Sequence, residues 1–255
     1  MIMEKFDLDR NTELLFEFKK ANAKSDITVN ISLFNYEEYI EECLESVKSQ
    51  ILNDINLIVV DDYSIDNSVS VTRKWLEKNK ERFNECLFIQ HKQNFGLPYT
   101  RNTALSYTKS DYVFILDADN LLYPRCLSRL LSALRNCDAS FSYCLLEEFG
   151  SENGIRNKKP WNPDKLATGN PIDAMVLHRK DILNKVGGYS IMPVMGWEDY
   201  DLWFKIARIK GWGIQVPEIL ARYRIHKKSM LNKITNPNVE KLWDYLKSTY
   251  PEFFR

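Results

Sequence analysis

The sequence predicts an α/β protein with a mixed, mainly parallel central sheet flanked by helices. Up to about residue 145, segments rich in β-branched and aliphatic residues alternate with segments whose apolar residues recur every three or four positions. Such alternation is typical of parallel sheets whose helical crossovers are right-handed. The chain has 255 residues, of which 44% are hydrophobic, so it can bury a sizeable core.

The first half of the chain contains the regular part of this pattern. We predict strands at 27–34, 55–60, 87–90, 112–116 and 139–144. We predict the alternating helices at 36–50, 66–78, 97–107 and 124–135. Residues 1–26 are polar and charged, and their apolar residues indicate a short helical extension packed on the main body: Leu14, Leu15, Phe16 and Phe18.

The second half is less regular. Residues 150–169 are rich in Lys, Asn, Pro and Gly, which predicts a mobile loop. Beyond it we predict short strands at 174–177 and 214–216, and helices at 179–185, 198–210 and 239–248. The last of these helices belongs to a carboxyl-terminal tail at 231–255.

Composition excludes several classes of protein. Lys and Arg together number 35, as do Asp and Glu, so the net charge is zero and there is no basic field for nucleic acid. The five cysteines are scattered and never spaced as Cys-x-x-Cys, which favours reduced thiols over disulfides or zinc. No signal peptide and no transmembrane segment are predicted. We therefore expect a cytoplasmic protein, with peripheral contact at the inner face of the plasma membrane left open.

Two pairs of acids follow predicted strands. Asp117 and Asp119 follow the strand at 112–116, and Asp61 and Asp62 end the strand at 55–60. The carboxyl ends of parallel strands meet at one edge of a sheet, where α/β proteins bind ligands. An Asp in such a turn often only caps a helix. Four acids exceed that need, and a bound cation or Arg101 would relieve their repulsion.

Six segments form a recognisable series along the chain. They are 29–35 (Val-Asn-Ile-Ser-Leu-Phe-Asn), 61–66 (Asp-Asp-Tyr-Ser-Ile-Asp), 94–102 (Asn-Phe-Gly-Leu-Pro-Tyr-Thr-Arg-Asn), 117–119 (Asp-Ala-Asp), 187–189 (Gly-Gly-Tyr) and 197–202 (Trp-Glu-Asp-Tyr-Asp-Leu). Taken together and in this order, they resemble the motifs of family 2 glycosyltransferases of the GT-A fold, and the resemblance runs from about Thr28 to Met230. The resemblance implies a main domain at 27–230, with a nucleotide-binding half at 27–145 and an acceptor half at 146–230. Tyr63 departs from the glycine of the family's Asp-Asp-Gly-Ser turn.

The resemblance also implies roles for individual residues. Those expected to border the nucleotide-sugar are Leu33, Phe34, Asn35, Asp61 or Asp62, Arg101, Asp117, Glu198 and Trp197. Those expected to hold a divalent cation, Mn²⁺ or Mg²⁺, are Asp117, Asp119 and His226. Asp199 is expected to be the base that takes the proton from the acceptor hydroxyl. Glu198 and Asp199 also stand at the start of a predicted helix, where an acid interacts favourably with the free N–H groups. One of the pair is expected to do only that.

The implied function is an inverting, metal-dependent glycosyltransferase of the hexosyl or N-acetylhexosaminyl type. Its expected donor is a nucleoside-diphosphate sugar, UDP-linked because a carboxylate can accept a hydrogen bond from the uracil N–H. The expected acceptor is a saccharide, a lipid-linked or a protein-linked hydroxyl, in polysaccharide or glycoconjugate synthesis. Two alternatives stay open: a catalytically silent nucleotide-sugar binding module, and a sugar-phosphate nucleotidyltransferase. The second is disfavoured because 32–38 lacks a glycine-rich phosphate loop.

Overall fold

The computed structural model describes residues 7–227, 229 and 235–254. The first six residues of the predicted extension and the predicted boundary between 230 and 231 lie outside this part of the chain. Among the residues that are described, no helix is both long enough and apolar enough to cross a bilayer.

A ten-stranded sheet forms the centre of the fold, with the strands in the order β1-β4-β3-β2-β5-β9-β7-β10-β6 and β8 beside β7. The strands are β1 (Thr12–Lys19), β2 (Ile27–Leu33), β3 (Ile55–Asp61), β4 (Glu85–His91), β5 (Tyr112–Asp117), β6 (Leu121–Leu122), β7 (Phe141–Gly150), β8 (Gly154–Arg156), β9 (Leu177–Arg179) and β10 (Gly213–Ile225). The strands β4, β3, β2 and β5 are mutually parallel, as is the pair of β7 and β10. The pairings of β1, β6, β8 and β9 are antiparallel. The predicted mixed, mainly parallel sheet is therefore confirmed.

Eight α-helices accompany the sheet in the described residues: α1 (Leu8–Asn11), α2 (Ile40–Lys48), α3 (Ser68–Asn79), α4 (Leu97–Tyr107), α5 (Cys126–Arg135), α6 (Lys180–Lys185), α7 (Glu198–Arg208) and α8 (Val239–Thr249). Short 3₁₀ helices lie at Lys80–Arg82, Pro163–Thr168, Asn236–Asn238 and Pro251–Phe253. Several of the long helices bury one apolar stripe, as α2 does with Ile40, Cys43, Leu44 and Val47. The helix predicted at 97–107 has the predicted bounds.

Burial explains why the central strands are nearly continuous apolar runs. Every residue of β2 and of β3 is buried, since helices cover both faces of a parallel sheet. The register aligns Leu33 with Asp61 and Ser32 with Asp117. The carboxyl ends of β2, β3 and β5 therefore meet at one edge, as the sequence predicts, and the acids follow at that edge.

The predicted helical extension is wrong for residues 12–19, which form the edge strand β1. This strand pairs antiparallel with β4, from Thr12 opposite His91 to Lys19 opposite Glu85. The apolar residues at 14, 15 and 18 fit a helical spacing, but the open edge of β4 offers backbone hydrogen bonds that decide for a strand. The segment predicted to be a loop at 150–169 contains β8 and a 3₁₀ helix.

The strand predicted at 214–216 is also longer than predicted, because β10 runs from Gly213 to Ile225 along β7. At the end of the chain, α8 confirms the predicted helix at 239–248. Its buried residues Leu242 and Leu246 face the main body, so this tail packs on the fold rather than extending from it.

Candidate active site

A cleft with a volume of about 690 Å³ opens at the carboxyl edge of the sheet. It brings together most of the predicted site residues: Leu33, Phe34, Asn35, Asp62, Arg101, Asp117, Asp119, Trp197, Glu198 and Asp199. Asp61 does not line this cleft, since its side chain is fully buried beneath the turn that follows β3. His226 is not part of the lining either, but it reaches Asp119.

The turn after β3 and the loop after β2 are joined side by side at one end of the cleft. The backbone N–H of Asn35 donates to Ser64 Oγ at 2.9 Å, and Asn35 Oδ1 accepts from the Ile65 N–H at 2.8 Å. Tyr63 has φ 66°, the left-handed conformation in which glycine has no steric cost. Tyr63 thus holds a conformation that glycine adopts freely, and it adds an aromatic ring that is 48% exposed.

Asp61 and Asp62 both have local hydrogen-bond donors. Asp61 accepts from the Ser64 N–H at 2.9 Å and from Gln90 Nε2 at 2.9 Å. Burial raises the pKa of Asp61, and these hydrogen bonds act to lower it. The carboxylate of Asp62 accepts from the backbone N–H groups of Phe95 at 2.9 Å and Gly96 at 2.7 Å. Asp62 therefore fixes the entry to α4, and its predicted contact with the nucleotide stays a prediction.

Arg101 is the positive centre of the cleft. It extends from α4 and is only 3% exposed, and its Nη2 lies 2.9 Å from Asp117 Oδ1. Its guanidinium carbon also lies 5.2 Å from the centre of the Tyr189 ring. A guanidinium buried to this degree needs its carboxylate partner, so Asp117 and Arg101 form one unit.

Asp119 lies deeper, at 7% exposure, with His226 Nε2 3.0 Å from its Oδ2. Burial raises the pKa of Asp119, the hydrogen bond from His226 acts to lower it, and the charge of Asp117 acts to raise it. The pKa of Tyr36 is raised by burial and by the charges of Asp119 and Asp117. An ionised Asp119 therefore has an energetic need for a nearby positive charge.

The donor set at Asp119 fits a divalent cation only in part. Among the described residues, no group of three or more His, Cys, Asp or Glu side chains is arranged to hold a metal ion. The pair of Asp119 and His226 offers an oxygen and a nitrogen donor. Mg²⁺-type sites usually combine one or two carboxylates with substrate phosphates and water, so such a pair fits when a phosphate ligand is present.

The start of α7 carries the other predicted acids. Glu198 is 2% exposed, and its Oε1 accepts from the Gly196 N–H at 2.8 Å, so it holds the turn that leads into α7. Asp199 accepts from the Tyr200 N–H through Oδ1 at 2.8 Å and from Asn170 Nδ2 through Oδ2 at 3.0 Å. Burial raises the pKa of both acids, and the charge of Arg101 acts to lower it.

Trp197, the residue before these acids, holds a φ of 62°, which is unusual for a bulky residue. Its ring packs edge-on against Trp243 of α8, with the ring centres 5.1 Å apart. Trp197 also lines the cleft, so one side chain both packs on α8 and forms part of the cleft wall, while its predicted contact with the nucleotide-sugar stays a prediction.

Sequence reasoning missed one wall of the cleft, which comes from residues 156–174. The residues it contributes are Arg156, Asn157, Asn170, Pro171, Ile172, Asp173 and Ala174. Burial raises the pKa of Asp173 to about 7, helped by the charges of Asp199 and Asp117. No motif marks these residues. Their only signal in the sequence is Asp173, a polar residue just before the apolar run at 174–177.

The fold and the acid-lined cleft define the class of a GT-A transferase. Residues 28–195 match the model of glycosyl transferase family 2, and the chain belongs to that family. It is therefore a glycosyltransferase.

Several curated relatives match most of the chain. The amylovoran biosynthesis glycosyltransferase AmsE of Erwinia amylovora is 27% identical over 231 residues, which are 87% of this chain and 82% of AmsE.

Two solved structures share the fold. Staphylococcus aureus TarS 1–349 in complex with UDP-GlcNAc aligns with a TM-score of 0.68 at 16% identity, covering 82% of this chain and 61% of that chain. The mannosyltransferase PcManGT of Pyrobaculum calidifontis, in complex with GDP-Man and Mn²⁺, aligns with a TM-score of 0.65 at 20% identity, covering 82% and 59%. The chain thus spans about 60% of each solved chain, and the likeness concerns the fold.

Proposed function

We propose that the protein is an inverting, metal-dependent glycosyltransferase that uses a nucleoside-diphosphate sugar, with UDP as the nucleotide. The observation that carries this proposal is one cleft lined by the Arg101–Asp117 pair, by Asp119 and by Asp199. Such a set has a cationic group and a metal-ligating acid for a diphosphate, and a separate carboxylate for a hydroxyl. The family membership supports it.

In the proposed reaction the acceptor oxygen attacks C1 of the sugar from the face opposite the diphosphate. The new C1–O bond forms as the bond from C1 to the phosphate oxygen breaks, and its electron pair leaves with the nucleoside diphosphate. Asp199 takes the proton of the acceptor hydroxyl. Its raised pKa makes it a stronger base than an exposed aspartate, which is what general-base assistance needs. Attack from the opposite face inverts the anomeric centre.

Asp119 with His226 would hold the divalent cation, and a diphosphate would complete the set. When bound, the cation offsets the charge that develops on the leaving diphosphate. Arg101 contributes a second, fixed positive charge beside Asp117. Leu33, Phe34 and Asn35 form the end of the cleft where the base and ribose would bind.

Similar proteins support the donor class and suggest the setting. TarS has been solved with UDP-GlcNAc, and PcManGT with GDP-Man and Mn²⁺. AmsE is named for amylovoran biosynthesis. We therefore extend the proposal to polysaccharide or glycoconjugate synthesis, with a saccharide, lipid-linked or protein-linked acceptor. The proposed setting is the cytoplasm, with peripheral contact at the inner face of the plasma membrane for a lipid-linked acceptor.

Calorimetric titration of UDP, GDP, dTDP and CDP tests the proposal, first with Mn²⁺ and then with EDTA. We expect one nucleotide to bind tightly with Mn²⁺ and weakly with EDTA. Asp119→Asn should weaken the binding of that nucleotide and remove most of the dependence of binding on Mn²⁺. The matched control is Asp181→Asn, an exposed aspartate in the first turn of α6, which should change neither. Failure of all four nucleotides to bind with Mn²⁺ would contradict the proposed function.

A further inference from the structure

The cleft wall at residues 156–174 has no role in the proposed reaction so far. Its segment 170–176 contacts both functional ends of the cleft. Asn170 Nδ2 donates to Asp199 Oδ2 at 3.0 Å, and Val176 O accepts from the Ile115 N–H at 3.2 Å. Ile115 lies on β5, two residues before Asp117. The segment therefore runs from the proposed acceptor base to the strand that carries the donor-side acid.

Asp173 lies within this segment and lines the cleft. The charges of Asp199 and Asp117 both act on it, after burial, to raise its pKa, which agrees with a location between the two. In the proposed reaction, C1 of the sugar loses its bond to the phosphate oxygen and gains a bond to the acceptor oxygen. C1 must therefore lie between the diphosphate and the acceptor base. In that reaction, a side chain on the wall between those two ends would face the transferred sugar ring.

The position of Asp173 is fixed by a buried neighbour. Asn157 is 7% exposed; its Oδ1 accepts from the Asp173 N–H at 3.0 Å, and its Nδ2 donates to Cys144 O of β7 at 3.1 Å. The Asp173 Oδ1 accepts from the Met175 N–H at 3.1 Å. Within the described part of the chain, its Oδ2 has no hydrogen-bond partner. One carboxylate oxygen thus holds the loop while the other is available to a ligand.

The wall also carries a cation, Arg156, whose charge acts to lower the pKa of Asp173. The guanidinium carbon of Arg156 lies 4.0 Å from the centre of the Tyr223 ring, and Arg156 Nε lies 2.6 Å from Glu148 Oε1. Arg156 and Tyr223 both line the cleft. A carboxylate beside a guanidinium offers acceptors and donors at fixed positions, which is the set that vicinal sugar hydroxyls can satisfy.

We propose that Asp173 determines donor-sugar specificity by accepting hydrogen bonds from hydroxyl groups of the transferred sugar, and that Asn157 positions it. This inference rests on the proposed function, because it assumes a nucleotide-sugar in the cleft. A site built to bind a substrate hydroxyl discriminates strongly against a sugar that lacks it or points it elsewhere, since its own polar group is then left unpaired.

Paired titrations test the inference with Mn²⁺ present: UDP against UDP-glucose, UDP-galactose and UDP-N-acetylglucosamine, and GDP against GDP-mannose. Asp173→Asn keeps the shape of the side chain and the acceptor for the Met175 N–H. The titrations are made at about pH 8, where most of Asp173 is ionised because its pKa is about 7. We expect Asp173→Asn to leave binding of the free nucleotide unchanged and to weaken binding of the preferred nucleotide-sugar by about tenfold or more, the loss expected for a hydrogen bond to a charged group. Asp164→Asn changes an exposed aspartate that lies within 156–174 but outside the cleft lining, and it should change neither.

The outcomes separate the two proposals. If the wild type binds none of these nucleotides, the proposed function fails, and the inference fails with it. If the wild type binds a nucleotide-sugar but Asp173→Asn weakens it no more than the free nucleotide, the inference alone is wrong. The thermal unfolding midpoint of each variant, measured alongside, shows whether an equal loss of both reflects damage to the fold.

Discussion

Asn170 donates a hydrogen bond from its side-chain amide to Asp199, with Nδ2 3.0 Å from Oδ2. The donor is an exposed loop residue, and the acceptor lies in the first turn of α7. With the Tyr200 N–H on the other carboxylate oxygen, this bond fixes the orientation of Asp199 and favours its charged form. A loop residue outside the family motifs therefore sets the proposed base.

Replacing Asn170 by alanine should move the acidic limb of the pH–rate profile to higher pH. Burial raises the pKa of Asp199, and the hydrogen bond from Asn170 acts to lower it, so removing the bond raises the pKa further. A base works only above its pKa, so activity should be lost at the acidic end first. Initial rates measured between about pH 5 and 9 check this, and a profile that keeps its shape and position would contradict it.

Replacing Asp199 by asparagine should lower turnover by about a hundred- to ten-thousand-fold, the usual contribution of a general base. Nucleotide binding should persist. Asp181→Asn, at the equivalent position of α6, is the control for a mere helix-start effect. Steady-state rates and calorimetry on both variants give the answer. Equal, small losses in the two variants would mean that Asp199 only starts its helix, and absence of turnover in the wild type would favour a silent binding module.

Replacing Arg101 by methionine should destabilise the fold by about 1–3 kcal/mol, because Asp117 loses its charged partner. The double variant with Asp117→Asn should recover part of this loss, since position 117 then carries no unpaired charge. Urea unfolding of the wild type, both single variants and the double variant measures the coupling. Strictly additive losses would show that the two side chains act independently.

His178 should make the protein sensitive to acid. It is fully buried on β9, and neither ring nitrogen has a hydrogen-bond partner among the described residues. Burial, helped by the charge of Arg101, lowers its pKa from 6.5 to about 3. Between these values the unfolded chain binds the proton and the folded chain does not, so stability falls as the pH drops from 6.5 towards 3.

The expected slope from this one residue is about 1.4 kcal/mol per pH unit within that window. His178→Leu should remove this contribution while keeping an apolar contact with Trp203, whose ring stacks on His178 at 5.7 Å between ring centres. Chemical unfolding of both proteins at several pH values between 4 and 7 provides the comparison. Parallel pH curves for the two proteins would refute the prediction.

The sequence determined the elements whose pattern is complete within the chain segment itself. The apolar runs that became β2 and β3 had to be strands buried on both faces, and α4 begins after Gly96, which has φ 97°, and carries Pro98 in its first turn. The acids at the carboxyl ends of β3 and β5 were placed at one edge of the sheet by the same logic. Spacing along the chain was enough to predict these positions, because a residue at the carboxyl end of a strand lies wherever that strand ends in the sheet.

Tertiary structure decided whatever depends on a distant partner. Residues 12–19 became a strand only because the edge of β4 was open to them. His226 meets Asp119 across 107 positions of sequence, and Asn157 fixes Asp173 from 16 positions away. Asp61 and Asp62, which look alike in sequence, differ because only Asp62 meets the entry of α4. Spacing along the chain does not encode such contacts, since they arise from how separately formed elements pack.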